Sequence, residues 1–221
     1  CVPAWVFGWE RRAFSFSSAL DPLVAIAAVN LAVLGHRGRT ASPGRAPGDP
    51  PCRAGLRLYD PCCGSGTVLA AAASLGCTRL YGSDLREDFA QQAESNLAAT
   101  GLLRGGGGDL QGGGEGLHVF AHDATRPLPT GVLVDLVVSN PPWGKNFGQA
   151  ADGVAIVRSI TAECAKHGVG TTLCWIANGL AVRALREMEG VTVLAHCALG
   201  GVELVVVATE PRRAIAAPSA P

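Results

Sequence analysis

Short apolar runs alternating with amphipathic stretches set the plan of this chain. Leu56–Asp60, Arg79–Asp84, Leu117–Ala121, Val132–Ser139 and Gly170–Ala177 read as strands, bounded by Gly, Pro, Asp or Asn. Helices are predicted over Thr67–Leu75, over Arg86–Thr100 with one polar face, over Ala150–His167 and over Gly179–Glu189. Val191–Ala198 and Val202–Thr209 follow as two strands joined through Gly200-Gly201, a hairpin. Upstream, Asp21 suits the N-cap and Pro22 the first turn of a helix that carries Leu23, Ile26, Ala27, Asn30, Leu31 and Leu34 at helical spacing, with Gly35 as its stop. Val2–Phe16 reads as extended chain lying on the domain, and residues 36–55 as a loop rich in Pro, Gly and Arg. Residues 104–116 read as a mobile Gly-rich insertion, and the segment after Pro211 as a disordered tail.

Strand–helix alternation predicts an α/β fold: a doubly wound, mostly parallel sheet of roughly seven strands with helices on both faces, completed by an antiparallel hairpin strand. The divisions that follow are an N-terminal extension over 1–55, a main domain over 56–210 and a tail over 211–221. Ligands of such sheets sit at the carboxyl ends of the strands, near the point where strand order reverses.

Two loops occupy such positions. The first, Asp60-Pro61-Cys62-Cys63-Gly64-Ser65-Gly66-Thr67, follows the first strand. Gly64 and Gly66 permit a tight turn and close approach of a ligand, and Thr67 opens a helix whose free N–H groups face it. A dinucleotide-binding loop would place a third glycine where Leu69 and Ala70 stand, and the Asp60 carboxylate would repel a pyrophosphate. The same carboxylate suits the amino group and sulfonium of S-adenosylmethionine. Asp84, ending the second strand, could accept both ribose hydroxyls, and Asp123, after the third, the adenine amine. Each of these two aspartates, taken alone, is equally a cap or turn residue. Cys62, Leu85 and Ala124, beside them in sequence, complete the candidate cofactor-binding set.

The second loop, Asn140-Pro141-Pro142-Trp143-Gly144, follows the strongest apolar strand. An exocyclic amine is a weak nucleophile because its lone pair is delocalised into the ring. Acceptors placed outside the ring plane, the Asn140 side-chain oxygen and the Pro141 carbonyl, would draw its hydrogens away and aim the lone pair at a methyl donor. Asn140 thereby borders both substrate and cofactor. Two prolines keep the loop rigid, and Trp143 offers a face for stacking, worth roughly 1–3 kcal/mol per base. Alone, the motif is as readily a turn after a strand.

Composition narrows the picture. Forty-eight per cent of residues are apolar, enough for a full core, and no run reaches the roughly 18 residues of a membrane span. No signal peptide is visible. A chain starting at Cys1 rather than Met is expected to be a fragment whose upstream domains are missing. Its eight cysteines include no CxxC pair, and the five histidines show no ligand spacing, so no metal site is expected. Reduced thiols in an intracellular protein are the expectation, cytoplasmic before nuclear or organellar. Net charge is zero, so there is no global footprint for nucleic acid. Residues 1–55 hold six Lys/Arg against three Asp/Glu, and the remainder twelve against fifteen. An RNA substrate would then need a missing domain, a partner or a local patch, for which Lys145, Arg11 and Arg12 are candidates.

The two loops resemble those of class I S-adenosylmethionine-dependent amino-methyltransferases. They most resemble the RNA guanine-N2 methyltransferases that often carry an N-terminal THUMP RNA-binding domain. Cys63 matches the cysteine of that family's first loop, and Ser18-Ala19-Leu20-Asp21-Pro22-Leu23-Val24-Ala25 is similar to the helix preceding its catalytic domain. The likeness spans roughly residues 15–209. It implies a Rossmann-like methyltransferase, S-adenosylmethionine as cofactor and guanosine N2, in tRNA, as target. It also implies either a missing RNA-binding domain or a small zinc-binding activator subunit of the kind some relatives use. Trp143 departs from the more frequent Tyr or Phe, and the Gly-rich insertion is unusual. The alternatives are transfer to a protein glutamine or to adenine N6, which use an Asn-Pro-Pro loop as well, and a non-catalytic binding subunit.

Overall fold

The computed structural model describes residues 4–13, 20–40, 55–102, 115–129, 132, 134–143, 150–166 and 171–209. Helix α1 (Ala4–Gly8) runs into a 3₁₀ turn (Trp9–Arg11) and is followed by α2 (Pro22–Thr40). The main alternation is β1 (Arg57–Asp60), α3 (Thr67–Ser74), β2 (Arg79–Asp84), α4 (Glu87–Ala99), β3 (Gly116–Ala121), β4 (Leu136–Ser139), α5 (Ala150–Lys166), β5 (Thr172–Ala177) and α6 (Gly179–Arg186). A hairpin, β6 (Val191–Leu199) and β7 (Val202–Thr209), completes it.

The seven strands form one sheet in the order β3-β2-β1-β4-β5-β7-β6. Pairings from β3 through β5 are parallel, and β7 enters antiparallel between β5 and β6. This is the doubly wound, mostly parallel sheet with a closing antiparallel hairpin that strand–helix alternation predicts. Its order reverses between β1 and β4, which places the ligand crevice where their carboxyl ends meet. One apolar layer, with Val29, Leu58, Leu69, Leu97 and Val206, packs α2, α3 and α4 on one face of the sheet. The other, with Tyr59, Ile160, Leu173, Trp175 and Leu185, packs α5 and α6 on the opposite face.

The predicted N-cap of α2 acts as expected. Asp21 Oδ1 accepts the Leu23 N–H at 2.7 Å, and α2 begins there. Glu87 and Asp88 sit in the first turn of α4, where the helix dipole favours negative charge. The hairpin turns through Gly200 and Gly201, both with positive φ.

Several expectations are corrected. Within the segment expected to be extended, Ala4–Arg11 is helical and Trp9 is buried. Helix α2 does not stop at Gly35 but continues to Thr40. A Cβ at Gly35 would lie 3.0 Å from Val206 and 3.2 Å from Leu194, so this glycine lets the helix approach the sheet. Strand β4 begins at Leu136 rather than Val132, because Val132 N–H bonds the Pro129 carbonyl in a turn instead of the ladder. Cys62, Cys63, Cys164, Cys174 and Cys197 are free, but Cys77 is disulfide-bonded, its partner lying outside the described residues. Pairing follows proximity in the fold, which the scattered spacing conceals. Most of the 104–116 insertion, the tail after Pro211, Lys145, Ser18 and Ala19 fall outside the described residues.

Candidate active site

Strands β1 and β4 pair side by side, Tyr59 against Val137, so both signature loops leave the sheet at the same edge. Asp60 ends β1 and Ser139 ends β4. The Ser139 hydroxyl donates to Asp60 Oδ1 at 2.7 Å, in a fully buried contact. Asp60 Oδ1 also accepts the Cys62 N–H at 3.2 Å. One carboxylate therefore turns the first loop and holds the residue immediately before Asn140. Burial raises the Asp60 carboxyl to about 7, against the pull of these two hydrogen bonds.

The glycine loop is anchored on three further sides. Asp84 Oδ2, at the end of β2, accepts the Gly64 N–H at 3.0 Å, while its Oδ1 accepts Arg86 N–H at 3.2 Å. Burial moves the Asp84 carboxyl upward, opposed by those two bonds. Cys63 N–H donates to the Ser83 carbonyl, and Asn96 of α4 donates its amide to the Ser65 carbonyl at 3.0 Å. Gly64 (φ 50°) and Gly66 (φ 86°) take left-handed backbone that L side chains avoid, and Gly66 N–H closes back on the Cys63 carbonyl. Helix α3 starts at Thr67 directly after this turn, so its first N–H groups lack intrahelical acceptors. Burial pushes the Cys62 and Cys63 thiols well up, which suits small apolar packing rather than nucleophilic chemistry.

Asp123 lies just beyond β3. Its Oδ1 accepts the Thr125 N–H at 2.9 Å and the Thr125 hydroxyl at 2.6 Å, and Arg126 approaches its Oδ2 at 3.4 Å. These bonds hold its pKa below the usual carboxylate value. Ala124 is buried in the second apolar layer, and Leu85 is 73% exposed beside Asp84.

In the second loop, Pro141 is buried while Asn140 and Trp143 are half-buried. Trp143 Nε1 donates to the Ile176 carbonyl at 3.0 Å, tying the loop to the end of β5. The indole lies against Gly153 of α5, where an added Cβ would fall 2.6 Å from the ring. Arg12 does not extend freely toward a substrate: its guanidinium donates to the Trp9 carbonyl and sits over the Trp9 ring.

The structure thus brings Asp60, Cys62, Gly64, Gly66, Thr67 and Asp84 together with Asn140, Pro141 and Trp143 at one end of the sheet. Sequence reasoning missed Ser139, Asn96, Ser83 and Trp9. For Ser139 the only cue is its place before Asn140; the others contact the loop through the fold. Among the described residues no group of three or more His, Cys, Asp or Glu could hold a metal ion, and no helix is long and apolar enough to cross a membrane.

Comparison with known proteins was made against family models, curated sequences and solved structures. The model of the RMKL-like methyltransferase domain family matches residues 51–192, well over half the chain. No curated protein matches it. Among solved structures, TrmN from Thermus thermophilus superposes with a TM-score of 0.58 at 24% identity, covering 91% of this chain and 52% of TrmN. The chain therefore spans about half the length of TrmN. PH1948 from Pyrococcus horikoshii, assigned as an RNA methyltransferase, gives 0.53 at 16% identity, covering 95% and 96%. The ribosomal protein L11 methylase of Lactobacillus delbrueckii subsp. bulgaricus gives 0.50 at 16% identity, covering 81% and 77%. At these identities the likeness establishes the fold.

Proposed function

Because the chain belongs to the RMKL-like methyltransferase domain family, we propose that it transfers a methyl group from S-adenosylmethionine to an exocyclic amino nitrogen, N2 of guanosine in tRNA. The single observation that carries this reading is the Ser139–Asp60 hydrogen bond. It couples a carboxylate suited to the cationic cofactor to the loop suited to an amine. The likeness to PH1948, which is named as an RNA methyltransferase, supports an RNA substrate.

The residues present fit the cofactor. Left-handed Gly64 and Gly66 open the loop, Asp60 sits buried beneath it, and Asp84 stands at the end of the adjacent strand. Asp60, with Cys62, Gly64, Gly66 and Thr67, would hold the methionine part, and Asp84 with Leu85 the ribose. Asp123 and Ala124 are assigned to the adenine side, although the Asp123 carboxylate already serves Thr125. The bound cofactor supplies an electrophilic methyl group. Asn140 Oδ1 and the Pro141 carbonyl would accept the two amine hydrogens and hold the nitrogen lone pair on the line of displacement. Trp143 would support the base, its indole fixed by Ile176 and Gly153. No strong base is needed, because the proton can leave after transfer. The catalytic unit is residues 56–210, with α2 of the 1–55 extension forming part of its helical layer. RNA is gripped with the help of an RNA-binding domain or a small zinc-binding activator subunit, since the chain has no net charge.

The test is transfer from labelled S-adenosylmethionine to unmodified tRNA, with and without candidate activators, followed by nucleoside analysis. N2-methylguanosine is the expected product. N6-methyladenosine, or label only in a glutamine-containing protein acceptor, would overturn the assignment of the atom. Asn140→Ala should cut turnover by at least a hundredfold, on the scale of losing one transition-state acceptor. Its cofactor affinity should change far less, by a few-fold at most, and full turnover would sink the proposed role.

A further inference from the structure

The N-terminal segment touches the cofactor loop at one polar point. The buried Trp9 Nε1–H donates to Thr67 Oγ1 at 3.0 Å, across 58 residues of sequence. Thr67 is the first residue of α3, buried, and its hydroxyl lies 3.3 Å from Ser65 Oγ. Ser65 in turn is held through its carbonyl by Asn96. The glycine loop is therefore gripped from two sides, by α4 through Asn96 and by the N-terminal segment through Trp9. Trp9 is itself set in place. The Arg12 guanidinium stacks 5.1 Å from its ring centroid, and Trp5 meets it edge-on at 5.3 Å. A buried indole N–H needs an acceptor, and Thr67 Oγ1 provides it at the point where the loop becomes a helix.

We propose that Trp9 is a positioning residue of the cofactor site, acting through Thr67 to fix the Ser65–Thr67 turn in its binding geometry, so that the Ala4–Arg12 segment is part of the binding machinery and not only a connection to α2. The inference rests on the cofactor assignment above. Trp9 meets the loop through the Thr67 hydroxyl. It sets affinity for S-adenosylmethionine and S-adenosylhomocysteine alike and leaves the Asn140 loop unaffected.

The experiment is a double-mutant cycle in the full chain: wild type, Trp9→Phe, Thr67→Val and the pair, titrated calorimetrically with each cofactor well below the unfolding temperature. Leu185→Val serves as the packing control, because Leu185 is buried on α6 in the apolar layer on the opposite face of the sheet. Trp9→Phe and Thr67→Val should each weaken binding roughly fivefold, the scale of one neutral hydrogen bond, and the double variant should bind no worse than the weaker single. In turnover, KM for the cofactor rises while kcat stays within about twofold. Leu185→Val should bind as wild type. Undiminished affinity in Trp9→Phe overturns the inference, as do additive effects of the two substitutions or an equal loss in Leu185→Val. A wild-type chain that binds neither cofactor overturns the assignment of the site, and this inference with it.

Discussion

At the residue scale, Asp60 is where the fold meets electrostatics. It is buried, it bridges the two signature loops, and its carboxyl is raised to about 7 from an ordinary 3.8. The folded chain keeps this proton up to about pH 7, whereas the unfolded chain releases it near 3.8. Stability from this group is therefore greatest below the unfolded value, falls as pH climbs to about 7, and is level above that. The span corresponds to a loss on the order of 4 kcal/mol. Asp60→Asn removes the titration, so urea midpoints of the variant should change less between pH 4.5 and 7.5 than those of wild type. Equal pH dependence in the two proteins would show that Asp60 is not the group concerned. The same titration bears on ligand binding. A sulfonium beside the site favours the ionised form, so affinity for S-adenosylmethionine should rise with pH through about 7. Affinity for the uncharged-sulfur product should rise less.

At the scale of elements, the contact between α5 and the Asn-Pro-Pro-Trp loop is the most sensitive joint. An alanine Cβ at Gly153 would collide with the Pro142 carbonyl oxygen and lie 2.6 and 2.7 Å from two ring atoms of Trp143. Both neighbours are stiff, one backbone between prolines and tryptophan, the other an indole bonded to Ile176. Alanine is the better helix former by about 1 kcal/mol, but overpacking of this kind costs roughly 1–3 kcal/mol. Gly153→Ala should therefore lower the melting temperature and depress kcat by tenfold or more while changing cofactor affinity little. An unchanged kcat would mean that the loop position is not critical to transfer. This joint also marks what the sequence could not display. Strand–helix alternation located β2, β7 and the hairpin turn, and the glycine and proline motifs marked both loops, because those signals are local. The stop expected at Gly35 failed because glycine there serves close packing of α2 on Val206, a tertiary reason. The Ser139–Asp60 bond spans 79 residues and Trp9–Thr67 spans 58, and no periodicity encodes either. Cys77 gave no cue to its disulfide for the same reason.

At the scale of the molecule, the proposed cofactor contacts cross from β1 to β2 and, through Ser139, to β4, so a ligand bound there ties the middle of the sheet together. Anything that binds the folded chain and not the unfolded one stabilises it by about 2.7 kcal/mol at a hundred times its dissociation constant. For a chain of this length each kcal/mol moves the melting temperature by roughly 2–4 °C. Saturating S-adenosylmethionine or S-adenosylhomocysteine should thus raise the melting temperature by about 5–10 °C. Asn140→Ala should keep most of the shift, because the role proposed for Asn140 lies mainly with the amine. Asp60→Asn should lose most of it, because its carboxylate is the proposed partner of the cationic cofactor. Trp9→Phe should retain a smaller shift at fixed ligand concentration, in proportion to its weaker binding. These three responses separate the parts of the site: the amine loop, the buried carboxylate and the support behind the glycine turn. If neither ligand moves the melting temperature of the wild-type chain, the crevice between β1 and β4 is not a cofactor site. If the shift survives in Asp60→Asn, the cofactor is held without the carboxylate on which the two loops converge.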